Sequence, residues 1–230
     1  EATRATGRGA LSEAGFEGSE IAVIVPDDAV RIAFLHVEKL SKNREEQLTF
    51  IRWKLKKTVP FDVDSAQIAF RILGTRTDAG ATMLVTLSPR TVIEEYENLF
   101  DSMDLHAGLV VPSTLAALNL FRPPSADSLF LKIAPGCTTT TVFQQGSMQF
   151  YRRVVDASPY DAVYPTVMYY QDKLGGKALE QLFVCGYDSD SRSSIAELQD
   201  KLGLAPQRLE PRPIDDIFKP ALGGVHCEAF

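Results

Sequence analysis

The sequence predicts an α/β protein, and three observations lead there. Short apolar runs rich in Val, Ile, Leu and Phe, at residues 21–25, 129–133 and 182–185, read as buried strands. Segments with helical spacing stand between such runs, as at residues 43–57 and 162–174. Gly and Pro mark the joints. Strand and helix patterns alternate along all 230 residues, which is the α/β signature.

The elements follow in order. Residues 10–16 read as the tail of a helix, and Gly18 with Ser19 as a turn. The strand at 21–25 ends at Pro26, Asp27 and Asp28 make a tight turn, and Val30, Ile32 and Phe34 alternate along a second strand. The helix at 43–57 carries Leu48, Ile51 and Leu55 on one face and stops at Pro60. Strands at 66–73 and 83–87 come next. Ser88 suits an N-cap and Pro89 a first turn, so they open a helix. Glu94, Glu95 and Glu97 are expected in its early turns, and Val92, Ile93, Tyr96, Leu99, Phe100 and Met103 form its buried stripe. A short strand at 108–111 and a helix at 113–121 lead to a Pro-rich break at 122–125. Beyond it lie a strand at 129–133 and a hairpin of 140–143 with 148–155. A helix at 162–174, a strand at 182–185, a helix at 195–202 and a last extended piece complete the chain.

Hydrophobic residues make up 45% of the chain and charged residues 23%, the proportions of a globular protein with room for one large domain or two small ones. The net charge of −6 argues against nucleic acid as the main partner, since phosphate binding needs a cationic face. One basic stretch stands out, with Lys39, Lys42, Arg44, Arg52, Lys54, Lys56 and Lys57, and reads as a solvated helix face. Cys137, Cys185 and Cys227 are far apart, which fits free thiols in a reducing compartment. No apolar run approaches the length that crosses a bilayer, so membrane association is expected to run through a partner or through chain beyond this sequence.

Motifs of catalysis are scarce. His36, His106 and His226 are isolated, and no metal site is expected. Asp62 with Asp64, and Asp215 with Asp216, read as turns and caps. The segment APGCTTTT at 134–141 follows a buried strand. Two readings stand side by side there: a small-residue turn that presents N–H groups and hydroxyls to a phosphate, or a hairpin whose threonines favour strand geometry. A second Gly turn, Cys185-Gly186-Tyr187-Asp188, stands where doubly wound folds bind ligands.

Taken in order, these pieces resemble the PilM family, the actin-like proteins of type IV pilus assembly. IAVIVPDDAVR at 21–31 resembles the strand–turn–strand that opens the family's inserted subdomain. IRWKL at 51–55 leading to VPFDVD at 59–64 looks like its helix and Pro-Phe signature. AQIAFRIL at 66–73, MLVTL at 83–87 with Ser88 and Pro89, and LVVPSTLAAL at 109–118 look like the following pieces. The Thr-rich hairpin matches the second phosphate loop, and LFVCGY at 182–187 the adenosine-side turn. The cytoplasmic domain of the type II secretion protein GspL is similar in plan.

The resemblance implies an actin-like (ribonuclease-H-like) core from residues 1–20 and 107–230, with an inserted αβ subdomain at 21–106 and the core's N-terminal hairpin missing. A sheet lacking those strands has an edge that a homodimer would cover. ATP is the one cofactor implied, at Gly136, Thr138, Thr139, Thr140 and Gly186. The match departs from the family there. Lys132 stands at the position of an Asp that organises Mg²⁺, Ala134 at that of a Gly, and Tyr187 and Asp188 at those of small residues. A degenerate site without ATP is therefore expected, with Lys132 standing in for a metal charge as the alternative.

The implied function is a non-catalytic cytoplasmic scaffold peripheral to the inner membrane, with no catalytic residue. It would bind the N-terminal peptide of a PilN-like bitopic membrane protein in a groove lined by Phe34, Phe61, Ile68 and Phe70. The alternatives are a functional ATP-binding protein of the same assembly and a GspL-like docking domain of a type II secretion system.

Overall fold

The computed structural model describes residues 9, 11, 13, 15–77, 80–119, 121–186 and 192–209. The expectations for Tyr187, Asp188, Asp215, Asp216, His226 and Cys227 lie outside them, as does most of the helix tail at 10–16.

Three sheets organise the chain. The largest has five strands. β6 (Ser128–Ala134), β7 (Cys137–Gln144) and β8 (Ser147–Val155) form an antiparallel meander. Helix α4 (Pro159–Lys173) carries the chain to β9 (Gln181–Cys185), parallel to β6, and α5 (Arg192–Leu202) carries it to β10 (Pro206–Arg208), parallel to β9. The strand order is β10-β9-β6-β7-β8. Strand alternation sends Leu129, Leu131, Val142, Leu182 and Val184 to the face that α4 and α5 cover with Val163, Tyr170, Ile195 and Leu198. It sends Phe130 and Phe143 to the opposite face, against Leu118 and Phe121.

The second sheet is the parallel pair β1 (Glu20–Val25) and β5 (His106–Pro112). Val23, Val25 and Val30 pack there against Tyr96 and Phe100 of α2 (Arg90–Asp101). The third sheet is antiparallel, in the order β2-β4-β3: Arg31–Val37, Gly80–Ser88, Gln67–Thr77. Helix α1 (Arg44–Leu55) covers one of its faces, setting Ile51 and Leu55 on Met83, Val85 and Leu87. The other face, with Phe34 and Leu84, packs toward Phe130, Phe143 and Met148 of the large sheet. Pairing thus joins β1, placed in the insertion by the sequence reading, to β5, placed in the core.

Local expectations need three corrections. Ser88 does not cap α2; it ends β4, and its hydroxyl donates to the Ala29 carbonyl at 2.6 Å. Pro89 takes the capping position without a side-chain bond, and α2 has no acidic residue in its first turn, so Glu94, Glu95 and Glu97 sit further along. The helix at 113 ends at Leu118 (α3, Ser113–Leu118), and α4 starts at Pro159 because Ser158 Oγ accepts the Asp161 N–H at 3.2 Å.

Candidate functional site

The C-terminal ends of the parallel strands β1 and β5 open toward the meander, the place where open α/β sheets gather ligands. Asp27 follows β1 in a short 3₁₀ turn, and Ser113 and Thr114 follow β5 at the start of α3. Facing them, the antiparallel register aligns Lys132 of β6 with Thr139 of β7 and Arg153 of β8. Paired residues point to one face, so a single row meets the aspartates.

Asp27 is the hub of the hydrogen bonds in this cleft. Asp27 Oδ1 accepts the Thr114 backbone N–H at 2.8 Å, and Oδ2 accepts the Thr114 hydroxyl at 2.6 Å. Lys132 Nζ donates to Asp27 Oδ2 at 3.0 Å and to Ser113 Oγ at 2.7 Å, and Thr139 Oγ1 to Asp27 Oδ2 at 3.4 Å. Arg153 Nη1 lies 3.9 Å from Asp28 Oδ1 at the rim. The Asp27 side chain is 3% exposed and that of Lys132 13%. Burial alone would raise the Asp27 pKa; the Thr114 hydrogen bonds and the Lys132 ammonium outweigh it and hold the carboxyl below its usual range. Burial raises the Cys185 thiol, with Lys132 pulling the other way. Burial and the Asp27 charge together push the Tyr151 phenol far up, and its hydroxyl is buried without a hydrogen-bond partner.

The expected nucleotide residues are spread over both faces of the large sheet. Thr139 alone of the three threonines faces the cleft. Thr140 shares a 2.8 Å hydrogen bond with Thr166 of α4, and Thr138 donates to the Ala157 carbonyl at 3.4 Å. Gly136 occupies the exposed β6–β7 turn with φ +68°. Gly186 ends β9 with φ +78°, and a Cβ there would stand 2.5 Å from the Ile133 carbonyl oxygen. Only Gly fits so close an approach, so backbone packing explains this residue without a ligand.

These groups do not fit a magnesium nucleotide. Pro135, in the turn that would cradle phosphate, has no N–H to offer. Asp156 Oδ1 lies 3.5 Å from where a Gly136 Cβ would stand, which places a carboxylate beside that turn. The Lys132 ammonium is already committed to Asp27 and Ser113. Among the described residues, no three His, Cys, Asp or Glu side chains converge to hold a metal.

The four expected peptide residues do not line one groove. Phe34 packs in the cluster between the small and large sheets, whereas Ile68 and Phe70 lie on the α1 face of the small sheet. Phe61 stands at a cavity of about 310 Å³ where α1 and the segment before β3 meet the start of α2. Arg52, Asp62, Arg90 and Glu94 also line it. Arg52 Nε is buried there without a hydrogen-bond partner. In the sequence alone Asp27 reads as a turn residue and Arg52 as part of a solvated face. For Asp27, its place just past the C-terminal end of a buried strand was the available signal. For Arg52 the signal was its spacing of three residues from Leu55 on the buried side of α1.

An antiparallel meander extended by two helix-linked parallel strands, set against a second parallel pair, defines the class: this chain has the actin-like fold. A Bacteroides thetaiotaomicron protein described as having an actin-like ATPase fold and unknown function superposes with TM-score 0.54 at 11% identity, over 93% of this chain and 79% of its own. A structure described as the PilM-PilN type IV pilus biogenesis complex superposes with TM-score 0.69 at 16% identity, over 87% of this chain and 72% of that one. The cytoplasmic domain of EpsL, an inner membrane component of the type II secretion system of Vibrio cholerae, gives TM-score 0.49 at 13% identity, over 76% and 63%. No protein-family model matches the sequence, and no curated protein matches it either.

Proposed function

We propose that this chain is a PilM-like, non-catalytic scaffold of a type IV pilus assembly, which holds the N-terminal cytoplasmic segment of a PilN-like bitopic membrane protein. The observation that carries this reading is the Asp27–Lys132 pair. It fills with protein charge the place that the resemblance gives to the metal and phosphates of a nucleotide, leaving the fold to work by holding partners.

The peptide seat is the cavity beside Phe61, at the junction of the three-stranded unit with α2. Phe61 supplies an apolar wall, and the Arg52 guanidinium supplies hydrogen-bond donors for an incoming carbonyl or carboxylate. Ile68 and Phe70 support that wall from the core of the small sheet. The insertion is then the unit of α1 with β2, β3 and β4, and the scaffold works on the cytoplasmic face of an inner membrane. Among the described residues, no helix is long and apolar enough to cross one.

Calorimetric titration tests this reading, with ATP in the presence and absence of Mg²⁺, beside a peptide from the cognate PilN-like N-terminus. Peptide binding that weakens about tenfold or more in Phe61→Ala, with no heat from ATP at millimolar concentration, is expected; a buried aromatic anchor is worth that much. Tight Mg²⁺-dependent ATP binding would overturn the scaffold reading, and peptide binding indifferent to Phe61 would overturn the seat.

A further inference from the structure

Trp53, the sole tryptophan of the chain, is 68% exposed, the most exposed large hydrophobic side chain among the described residues. It stands on the outer side of α1, whose inner side is fixed by Gln47, Ile51 and Leu55. Phe50, Trp53 and Lys54 follow at intervals of three and four residues, so they share one stripe, and Lys57 follows in the turn just past the helix end. The rings of Phe50 and Trp53 are 6.2 Å apart. Lys54 Nζ lies 5.0 Å from the centroid of Trp53 and 5.8 Å from that of Phe50.

The charge around this stripe is opposite to that of the protein. Residues 38–57 carry seven basic side chains against three acidic ones, although the chain as a whole carries −6. The acidic residues of the helix, Glu45 and Glu46, occupy its first turn, about 10 Å along the axis from Trp53. Lys56 is tied to Asp64 at 2.8 Å, while Lys54 and Lys57 are exposed.

We propose that this face of α1 docks on an anionic lipid surface, with the Trp53 indole at headgroup depth and Lys54 and Lys57 on lipid phosphates. Charge complementarity selects the occupant. An indole flanked by long ammonium side chains matches the bilayer interface, where an amphipathic ring and snorkelling lysines each find their own depth. The net charge of −6 argues against nucleic acid as the occupant. The proposal differs from the sequence expectation that membrane contact runs through a partner or through chain beyond this sequence, because the exposure of Trp53 is set by packing. It goes beyond the peptide reading and stands or falls independently of it.

The test uses vesicles of phosphatidylcholine with and without 30% phosphatidylglycerol, with the tryptophan as reporter. Cosedimentation and a blue shift of Trp53 emission are expected with anionic vesicles only, together with quenching by lipids brominated near the headgroup. Binding should fall about fivefold for each basic residue removed, hence at least about 25-fold in Lys54→Gln/Lys57→Gln. It should also collapse at ~1 M salt, where the screening length is ~3 Å. Trp53→Ala should weaken cosedimentation while leaving the circular dichroism spectrum and unfolding midpoint unchanged. No cosedimentation, binding without a Trp53 shift, or equal binding to neutral vesicles would overturn the proposal. So would a concentration-dependent Trp53 shift without lipid, which would assign this face to a second copy of the chain, or a Trp53 shift on an oligonucleotide but not on vesicles.

Discussion

Replacing Lys132 by Met removes the cation from the cleft and leaves the Asp27 carboxylate among buried groups. Breaking a buried ion pair by deleting one partner costs about 3–5 kcal/mol. Asp27 keeps both hydrogen bonds from Thr114, at 2.8 and 2.6 Å, which places the loss at the lower end, about 3 kcal/mol. For a chain of this size that lowers the melting temperature by about 6–12 °C. Urea unfolding followed by circular dichroism at several pH values measures both the size and the sign. In the wild type the folded pKa of Asp27 is depressed, so its contribution is complete above the ordinary carboxylate value near 3.9 and is lost as the pH falls through the lower folded value. In Lys132→Met, loss of the ammonium raises that pKa relative to the wild type, so the deficit is largest at pH 7 and shrinks as acid neutralises the stranded carboxylate. Asp27→Asn combined with Lys132→Met should recover part of the loss, since two neutral groups are cheaper to bury than one charge. A loss below about 1 kcal/mol at pH 7 would refute this account, as would a deficit that stays constant down to pH 4.

Two further substitutions probe the frame around the cleft. Gly186→Ala should cost at least about 2 kcal/mol in urea unfolding, because φ is +78° and the new methyl would press on the Ile133 carbonyl oxygen at 2.5 Å. Tyr170→Phe should cost about 1.5–3 kcal/mol, the range for a hydrogen bond to a charged acceptor. Its hydroxyl donates to Asp127 Oδ2 at 2.6 Å and lies 3.0 Å from the Ala178 carbonyl, and a wild-type unfolding curve from this variant would show that Asp127 needs only Gln144.

Most of the secondary structure was legible because it depends on local pattern. The runs at 21–25, 129–133 and 182–185 are strands in the structure, and the helical spacing at 43–57 and 162–174 produces α1 and α4. Boundaries were legible only where the capping partner was local. Ser158 acts on Asp161, three residues away, whereas Ser88 looked like a cap in sequence and instead reaches Ala29, 59 residues back. A one-dimensional pattern cannot rank a nearby acceptor against a distant one.

By itself the sequence determined that the chain folds as strands alternating with helices, and the order of its pieces carried the resemblance to an actin-like protein. It also placed a Lys where that resemblance expects an Asp. Only the tertiary structure decided what the Lys does, because Asp27, 105 residues away, meets Lys132 through the packing of one sheet's strand ends on another sheet's face. Packing likewise decided that the Thr139 side of β7 faces the cleft while the Thr138 and Thr140 side meets α4, set Phe34 on the opposite side of its sheet from Ile68 and Phe70, and left Trp53 in solvent. Periodicity tells which residues share a face of one element. Which partner that face meets depends on contacts between elements far apart in the chain, and these exist only once the chain has folded.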